Sequence, residues 1–226
     1  MTAATTLPRH TLVWPRASAQ ATLAAQACDD EAHAAVAAWF EASRPFVVRR
    51  QDDGAVALTD VVALGLPLPP AQCKRRLAFR LPRDGVDRHA PPRTLARIAA
   101  ALPARWRTPL AALDRAARTY DATLRGFGAA AWQAETGLAY LHDGSDIDVM
   151  FHPAATAQLD AVLDLFARFE HTRRLRVDAE VVFPGGAAVA WREWYAAPAR
   201  VLAKSIHGPA LLPRAALAKL LPAAAA

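Results

Sequence analysis

Two aspartates stand two residues apart in an otherwise apolar run, Gly144-Ser145-Asp146-Ile147-Asp148-Val149-Met150-Phe151. The spacing of Ile147, Val149 and Phe151 predicts a strand with one packed face, and the period of two then puts Asp146 and Asp148 together on the other. Carboxylates held side by side are costly unless cations or protons compensate them. Divalent metal ions do so, since hard cations take hard oxygen ligands. A second acidic pair, Asp178 and Glu180, falls at the same spacing in residues 175–183, which also read as a strand.

The elements around these pairs follow from periodicity. Leu110, Leu113, Ala117, Tyr120 and Leu124 fall on one helical face, and Arg125-Gly126-Phe127-Gly128 breaks it. Residues 129–136 read as a short helix stopped by Gly137. Past the acidic strand, Pro153 is expected to open a helix whose Leu159, Val162, Leu163, Phe166 and Phe169 pack on a sheet. Residues 175–183 and 187–195 are expected to form a hairpin around Pro184-Gly185-Gly186. The closing Pro-Ala-Ala-Ala-Ala is expected to fray.

The first part of the chain reads differently. An Ala-rich helical stretch ends near Trp39 and Phe40, and strand-like residues 46–50 and 56–58 join across Asp53-Gly54, a hairpin turn. Residues 75–81 alternate basic and apolar. Pro82, Gly85, Pro91 and Pro92 punctuate a polar stretch. The expected organisation is α+β: an N-terminal α/β domain over residues 1–81, a linker over 82–92, and a second domain over 93–226 with a mixed sheet flanked by helices. The active site is expected between the two.

Composition excludes several classes. At 226 residues and 54% hydrophobic the chain can bury a real core, yet no window approaches the ~18 uncharged apolar residues of a membrane span. Arg9, His10 and Pro15 leave the N-terminal segment without the apolar core of a leader. Cys28 and Cys73 lack metal-ligand or disulfide spacing, which fits a reducing, cytoplasmic setting. No Gly-x-Ser-x-Gly elbow surrounds Ser145, the seven histidines lack zinc spacing, and Walker-type and dinucleotide glycine signatures are absent. The net charge of +6 comes from 24 Arg and 3 Lys, so it reflects either nucleotide composition or a basic face for a polyanion.

A glycine turn, a helix start, an Asp-x-Asp strand and a later acidic strand, in that order, resemble the nucleotidyltransferase fold of the polymerase-beta type. There the glycine motif reads apolar-Gly-Gly/Ser; here it is Phe127-Gly128-Ala129, whose third position lacks the hydroxyl, although backbone N–H groups at a helix start can still hold an anion. The likeness implies two Mg²⁺ ions about 3.5–4 Å apart, with Mn²⁺ as the alternative. Asp146 and Asp148 would bridge them, Asp178 would complete the set, and Glu180 is the rival third ligand. Whichever of Asp178 and Glu180 does not bind metal would pair with an arginine such as Arg176.

Flanking residues sharpen the resemblance. Trp132-Gln133, Thr136-Gly137-Leu138 and Tyr140-Leu141 precede the aspartates; Arg176 to Val181, Ala190-Trp191-Arg192-Glu193 and Val201 to Lys204 follow. Arg9 to Trp14, Pro45 to Arg50, Gly65-Leu66-Pro67 and Lys74-Arg75-Arg76 stand upstream. Over nearly its whole length the chain resembles the phosphoribosyl-dephospho-CoA transferases, the holo-acyl-carrier-protein synthases of malonate decarboxylase. That resemblance implies transfer of a phosphoribosyl-dephospho-CoA group from its triphosphate precursor to a serine of the acyl carrier protein, with loss of diphosphate.

Substrate contacts would come from Gly128, Ala129, Ser145 and Lys204, and from the basic cluster Lys74, Arg75 and Arg76, whose bland alternative is a charged strand edge that discourages aggregation. No membrane or nucleic-acid partner is expected. The competing readings are a nucleotidyltransferase using an ordinary nucleoside triphosphate, and a noncatalytic basic module for phosphate or RNA. Strand acids argue against the latter, because without metal they repel a nucleic-acid backbone.

Overall fold

The computed structural model describes residues 6–51, 60–173 and 175–222. The chain divides into two compact units, Met1–Pro92 with Ile206–Gly208, and Arg93–Ser205 with Pro209–Ala226.

The first unit runs β1 (Leu12–Pro15), α1 (Gln20–Ala24), α2 (Asp30–Glu41), β2 (Phe46–Val48), β3 (Val61–Pro67), β4 (Arg76–Pro82) and β5 (Val86–Ala90). Its sheet is antiparallel throughout, in the order β4-β3-β2-β1-β5. In β4, Leu77, Phe79 and Leu81 are buried while Arg76, Ala78, Arg80 and Pro82 are exposed, the period-two pattern of a half-buried strand. Phe79 meets Phe46 edge-on at 5.8 Å. At the sheet edge, Gln26 pairs with the backbone of Arg80 in both directions, donating to its carbonyl and accepting from its N–H. This satisfies polar groups that an edge strand otherwise leaves open.

The polar stretch expected as a linker instead carries β5, whose residues pair with β1 from Leu12↔Ala90 to Pro15↔Val86. Proline and glycine there mark the short turns that enter and leave a strand, not the end of the sheet. The expected strand at 56–58 and its Asp53-Gly54 turn lie outside the described residues; β2 pairs with β3, Val47 opposite Gly65.

The second unit contains α3 (Leu95–Ala101), α4 (Ala104–Arg118), β6 (Arg125–Gly126), α5 (Gly128–Thr136), β7 (Ile147–Phe151), α6 (Thr156–Arg173), β8 (Val177–Val182), β9 (Ala188–Ala190), α7 (Trp191–Tyr195), β10 (Arg200–Ser205), β11 (Gly208–Pro213) and α8 (Arg214–Ala218). Its mixed sheet has the order β11-β10-β9-β8-β7-β6. β7 and β8 are parallel and joined through α6, whereas β6 with β7, β8 with β9 and β9 with β10 are antiparallel.

One face of this sheet is core. Ile147, Val149, Phe151, Val177, Ala179 and Val181 are buried in one cluster with Leu159, Val162 and Phe166 of α6 and with Leu110, Leu113 and Ala117 of α4. Phe166 stands edge-on to both Phe151 and Trp191. The face expected of α6 is therefore the one that packs. Its helix begins at Thr156 instead of Pro153, with the Gln158 side chain accepting from the Ala154 N–H.

Two further boundaries shift. α4 ends at Arg118, and Asp121 takes a left-handed conformation, so Tyr120 and Leu124 lie beyond the helix. Residues 191–195 form α7 instead of prolonging the hairpin strand. The indole of Trp191 donates to the Val177 carbonyl, and Trp194 packs on Phe183 with ring centroids 4.6 Å apart. These contacts anchor the turn of helix at the strand's end. Among the described residues no helix is long and apolar enough to cross a membrane.

Candidate active site

The parallel register of β7 and β8 sets Asp148 directly beside Asp178 and Met150 beside Glu180. One row earlier Asp146 adjoins Arg176, whose Nε lies 3.5 Å from the aspartate Oδ2. All these side chains share the face opposite the core, because residues facing each other across a ladder point the same way. The face thus presents an ion pair, then an acid pair, then a buried glutamate. Pairing of Arg176 with Asp178 or Glu180, expected from sequence, is replaced by pairing with Asp146, the residue across the strand from it.

Gly128 fixes the position of the central acid. Its φ is +63°, and a Cβ there would lie 1.9 Å from Oδ2 of Asp148. Only glycine lets the backbone approach this carboxylate so closely. The Phe127 N–H donates to the Asp148 carbonyl at 3.1 Å, so the turn is tied to β7 by backbone as well. Just upstream, a Cβ on Gly126 would press to 2.3 Å from Ile98, which brings α3 against the same turn. No side chain caps the start of α5, where Ala129 is the second residue. The first-turn N–H groups there form the helix end that favours anions.

The loop before β7 is held by its own side chains. Gln133 Oε1 accepts from the N–H groups of Tyr140 and Leu141. Ser145 is buried, and its hydroxyl accepts from the His142 N–H at 3.0 Å. That bond makes Ser145 a brace for the approach to Asp146 and leaves its hydroxyl proton as the only donor it can offer to substrate.

Among the described residues no group of three or more His, Cys, Asp and Glu side chains is gathered closely enough to hold a metal ion. The donor set nevertheless suits Mg²⁺. Asp146, Asp148 and Asp178 offer oxygen only, and Mg²⁺ is usually bound by one or two carboxylates with substrate phosphates and water completing the octahedron, not by an all-protein cage.

Residues 94–215 match the family described as phosphoribosyl-dephospho-CoA transferase MdcG C-terminal domain, and residues 8–92 match the corresponding N-terminal domain. The chain belongs to the phosphoribosyl-dephospho-CoA transferase family. A phosphoribosyl-dephospho-CoA transferase of Xanthomonas campestris pv. campestris (strain 8004) is 39% identical over 209 residues, spanning 92% of this chain and 95% of the relative. One from Bradyrhizobium diazoefficiens is 38% identical over 153 residues, 68% of each chain. That of Pseudomonas aeruginosa is 32% identical over 81% of this chain and 84% of its own. No solved structure matches. The protein is a transferase of this kind.

Within this phosphoribosyl-dephospho-CoA transferase, Glu180 is buried beside a lysine. It is only 7% exposed, and its Oε1 lies 3.5 Å from Nζ of Lys204, reached across β9. The intervening residues on that face are Ala190, opposite Glu180, and Ala188, opposite Lys204. Their small side chains let the pair meet over the strand. Asp178, by contrast, is exposed on the acid row.

The basic cluster of the transferase serves structure in part. The Arg75 guanidinium bonds Asp29 at 2.7 Å and Glu31 at 2.8 Å, tying the start of β4 to the N-terminus of α2. That contact, with help from the Ala32 N–H, holds the Asp29 carboxyl down at about 2. Arg75 is thus ion-paired within its own unit. Lys74 takes a left-handed conformation and Arg76 is exposed at the start of β4.

Sequence reasoning named Gly128 and Arg176 in this transferase but not their partners, Asp148 and Asp146. The Gly128 approach to Asp148 gives no signal beyond the glycine itself. Arg176, however, stands two residues before Asp178, and the same period of two that exposed the acids puts it on their face.

Proposed function

We propose that this transferase moves the phosphoribosyl-dephospho-CoA group of triphosphoribosyl-dephospho-CoA onto a serine of the acyl-carrier-protein subunit of malonate decarboxylase, releasing diphosphate in the cytoplasm. The observation that carries the reading is Asp148 held between Gly128 and Asp178 on one polar sheet face. It supports reading the second unit as a nucleotidyltransferase fold. The family matches along both units support the group transferred.

Asp146, Asp148 and Asp178 would hold Mg²⁺, which when bound neutralises the triphosphate and lowers the pKa of an attacking hydroxyl. The carrier serine oxygen attacks the phosphorus nearest the ribose, and the bond from that phosphorus to the diphosphate oxygen breaks. The chain's own residues orient the acceptor and donor. The start of α5 faces the phosphates with backbone N–H groups, Lys204 supplies a cation at the far side of the acid row, and a carboxylate of that row receives the serine proton. Most of the acceleration is then positioning and charge neutralisation. The exposed, non-disulfide thiols of Cys28 and Cys73 support a reducing compartment.

The test is intact mass spectrometry of the apo carrier protein after incubation with enzyme, Mg²⁺ and triphosphoribosyl-dephospho-CoA. The expected result is a gain equal to one phosphoribosyl-dephospho-CoA group, absent with Asp148→Asn. A gain with ATP alone would instead establish a general nucleotidyltransferase.

A further inference from the structure

A groove of about 490 Å³ is lined by Glu170, Leu175, Arg192 and Arg176, the last of which also contacts Asp146. Its two arginines are held very differently. Arg192 bonds the Glu170 carboxylate, donates to the Val177 carbonyl at 2.9 Å and lies over the Trp191 ring, with 4.6 Å to the centroid. Glu170 in turn accepts from the Val177 N–H, so its charge is spent on the start of β8. The backbone of Arg176 is anchored, its carbonyl accepting from the Ile147 N–H. Its side chain is 65% exposed and, among the described residues, makes one long contact, to Asp146.

We propose that Arg176 works in two positions: it rests on Asp146 in place of a metal ion, and on metal binding it moves to a diphosphate-bearing anion in the adjoining groove. The inference rests on the metal reading above and assigns the substrate's phosphates a subsite. Exposed ion pairs are weak, so a divalent cation displaces the guanidinium readily. A guanidinium released at the groove mouth matches two phosphate oxygens in its planar fork. Arg192 and Glu170 neutralise one another and form the fixed wall, while Arg176 is the groove's mobile cation. Asp146 thereby keeps a counter-charge in both states, so its repulsion with Asp148 never stands uncompensated.

The test separates these roles. Mn²⁺ binding is followed by electron paramagnetic resonance for wild type, Arg176→Gln, Arg176→Lys and Asp148→Asn, with thermal melting to verify folding. Inhibition of transfer by inorganic pyrophosphate is measured at excess Mg²⁺. Arg176→Gln is expected to bind Mn²⁺ about two- to five-fold more tightly, because a competing cation is gone. It is expected to need about ten-fold more pyrophosphate for inhibition, and Arg176→Lys to recover part of that loss. A purely structural arginine would not move the two constants in opposite directions. Unchanged Mn²⁺ affinity or unchanged pyrophosphate inhibition in a folded Arg176→Gln overturns the inference. If Mn²⁺ binding is still lost in Asp148→Asn, the metal reading survives that failure; if wild type binds no Mn²⁺, both fall.

Discussion

Gly128 and Asp148 are packed so closely that a single added carbon at Gly128 would overlap the carboxylate, 1.9 Å from Oδ2 and 2.4 Å from the carboxyl carbon. The φ of +63° adds its own penalty to any side chain there, of about 1–2 kcal/mol. Gly128→Ala must therefore push Asp148 or the turn aside. A displacement near 1 Å at a reacting centre costs about 100-fold in rate. The expected outcome is a folded protein with transfer reduced at least to that degree, checked by melting and by carrier-protein mass. A Gly128→Ala enzyme with normal turnover would separate the glycine turn from the chemistry.

Asp148 has a stronger claim than Asp146, since it lies between the turn and Asp178 whereas Asp146 is shared with Arg176. Asp146→Asn and Asp148→Asn are both expected to fold and, on the proposed metal site, to lose transfer by several orders of magnitude, since each would remove a shared ligand. Asp178→Asn is expected to lose more transfer than Glu180→Gln. Turnover numbers at saturating Mg²⁺ rank the four variants, and a larger defect in Glu180→Gln than in Asp178→Asn would exchange the roles of the β8 acids.

The acids were legible in the sequence because a strand's period is two, and Ile147, Val149 and Phe151 declare the buried face unambiguously. The same signal in Leu159, Val162, Phe166 and Phe169 revealed the packed side of α6. Less legible were elements whose ends depend on tertiary contacts. α7 replaces a strand because Trp191 and Trp194 find partners in Val177 and Phe183, which local propensity cannot encode. β5 looked like a linker because its own residues, Val86 to Ala90, carry no apolar alternation and only its pairing with β1 makes it a strand. Which carboxylate meets which cation likewise depends on register between β7 and β8, and register is set by the whole sheet.

Glu180 and Lys204 form a pair that spans β9, and its asymmetry gives a prediction. The glutamate is buried while the lysine side chain is 49% exposed, so the carboxylate can steer the ammonium toward the acid row's substrate side. Lys204→Met is expected to raise KM for triphosphoribosyl-dephospho-CoA by about ten-fold, the worth of one charge-assisted phosphate contact, with a smaller change in kcat. Glu180→Gln, which keeps shape but not charge, is expected to raise the same KM by less and to leave the Mg²⁺ activation constant unchanged. A shifted Mg²⁺ constant in Glu180→Gln would make that residue a ligand of the metal site.

Arg75 and Asp29 supply a test of pH dependence that is independent of the chemistry. Hydrogen bonds from Arg75 and from the Ala32 N–H bring the Asp29 carboxyl from 3.8 down to about 2. The folded value lies below the unfolded one, so the unfolded state binds the proton more readily and the contribution to stability is fully present above about pH 4. It is lost progressively as pH falls from there to about 2. Wild type is thus expected to show a melting temperature that falls across this window, and Arg75→Ala, with the main cause removed, to show a lower melting temperature at neutral pH and a shallower acid decline. Because the Arg75 guanidinium is occupied by Asp29 and Glu31, KM for triphosphoribosyl-dephospho-CoA is expected to stay within about two-fold of wild type, as for a structural surface ion pair. A ten-fold rise in KM with an unaltered melting temperature would restore Arg75 as a substrate contact.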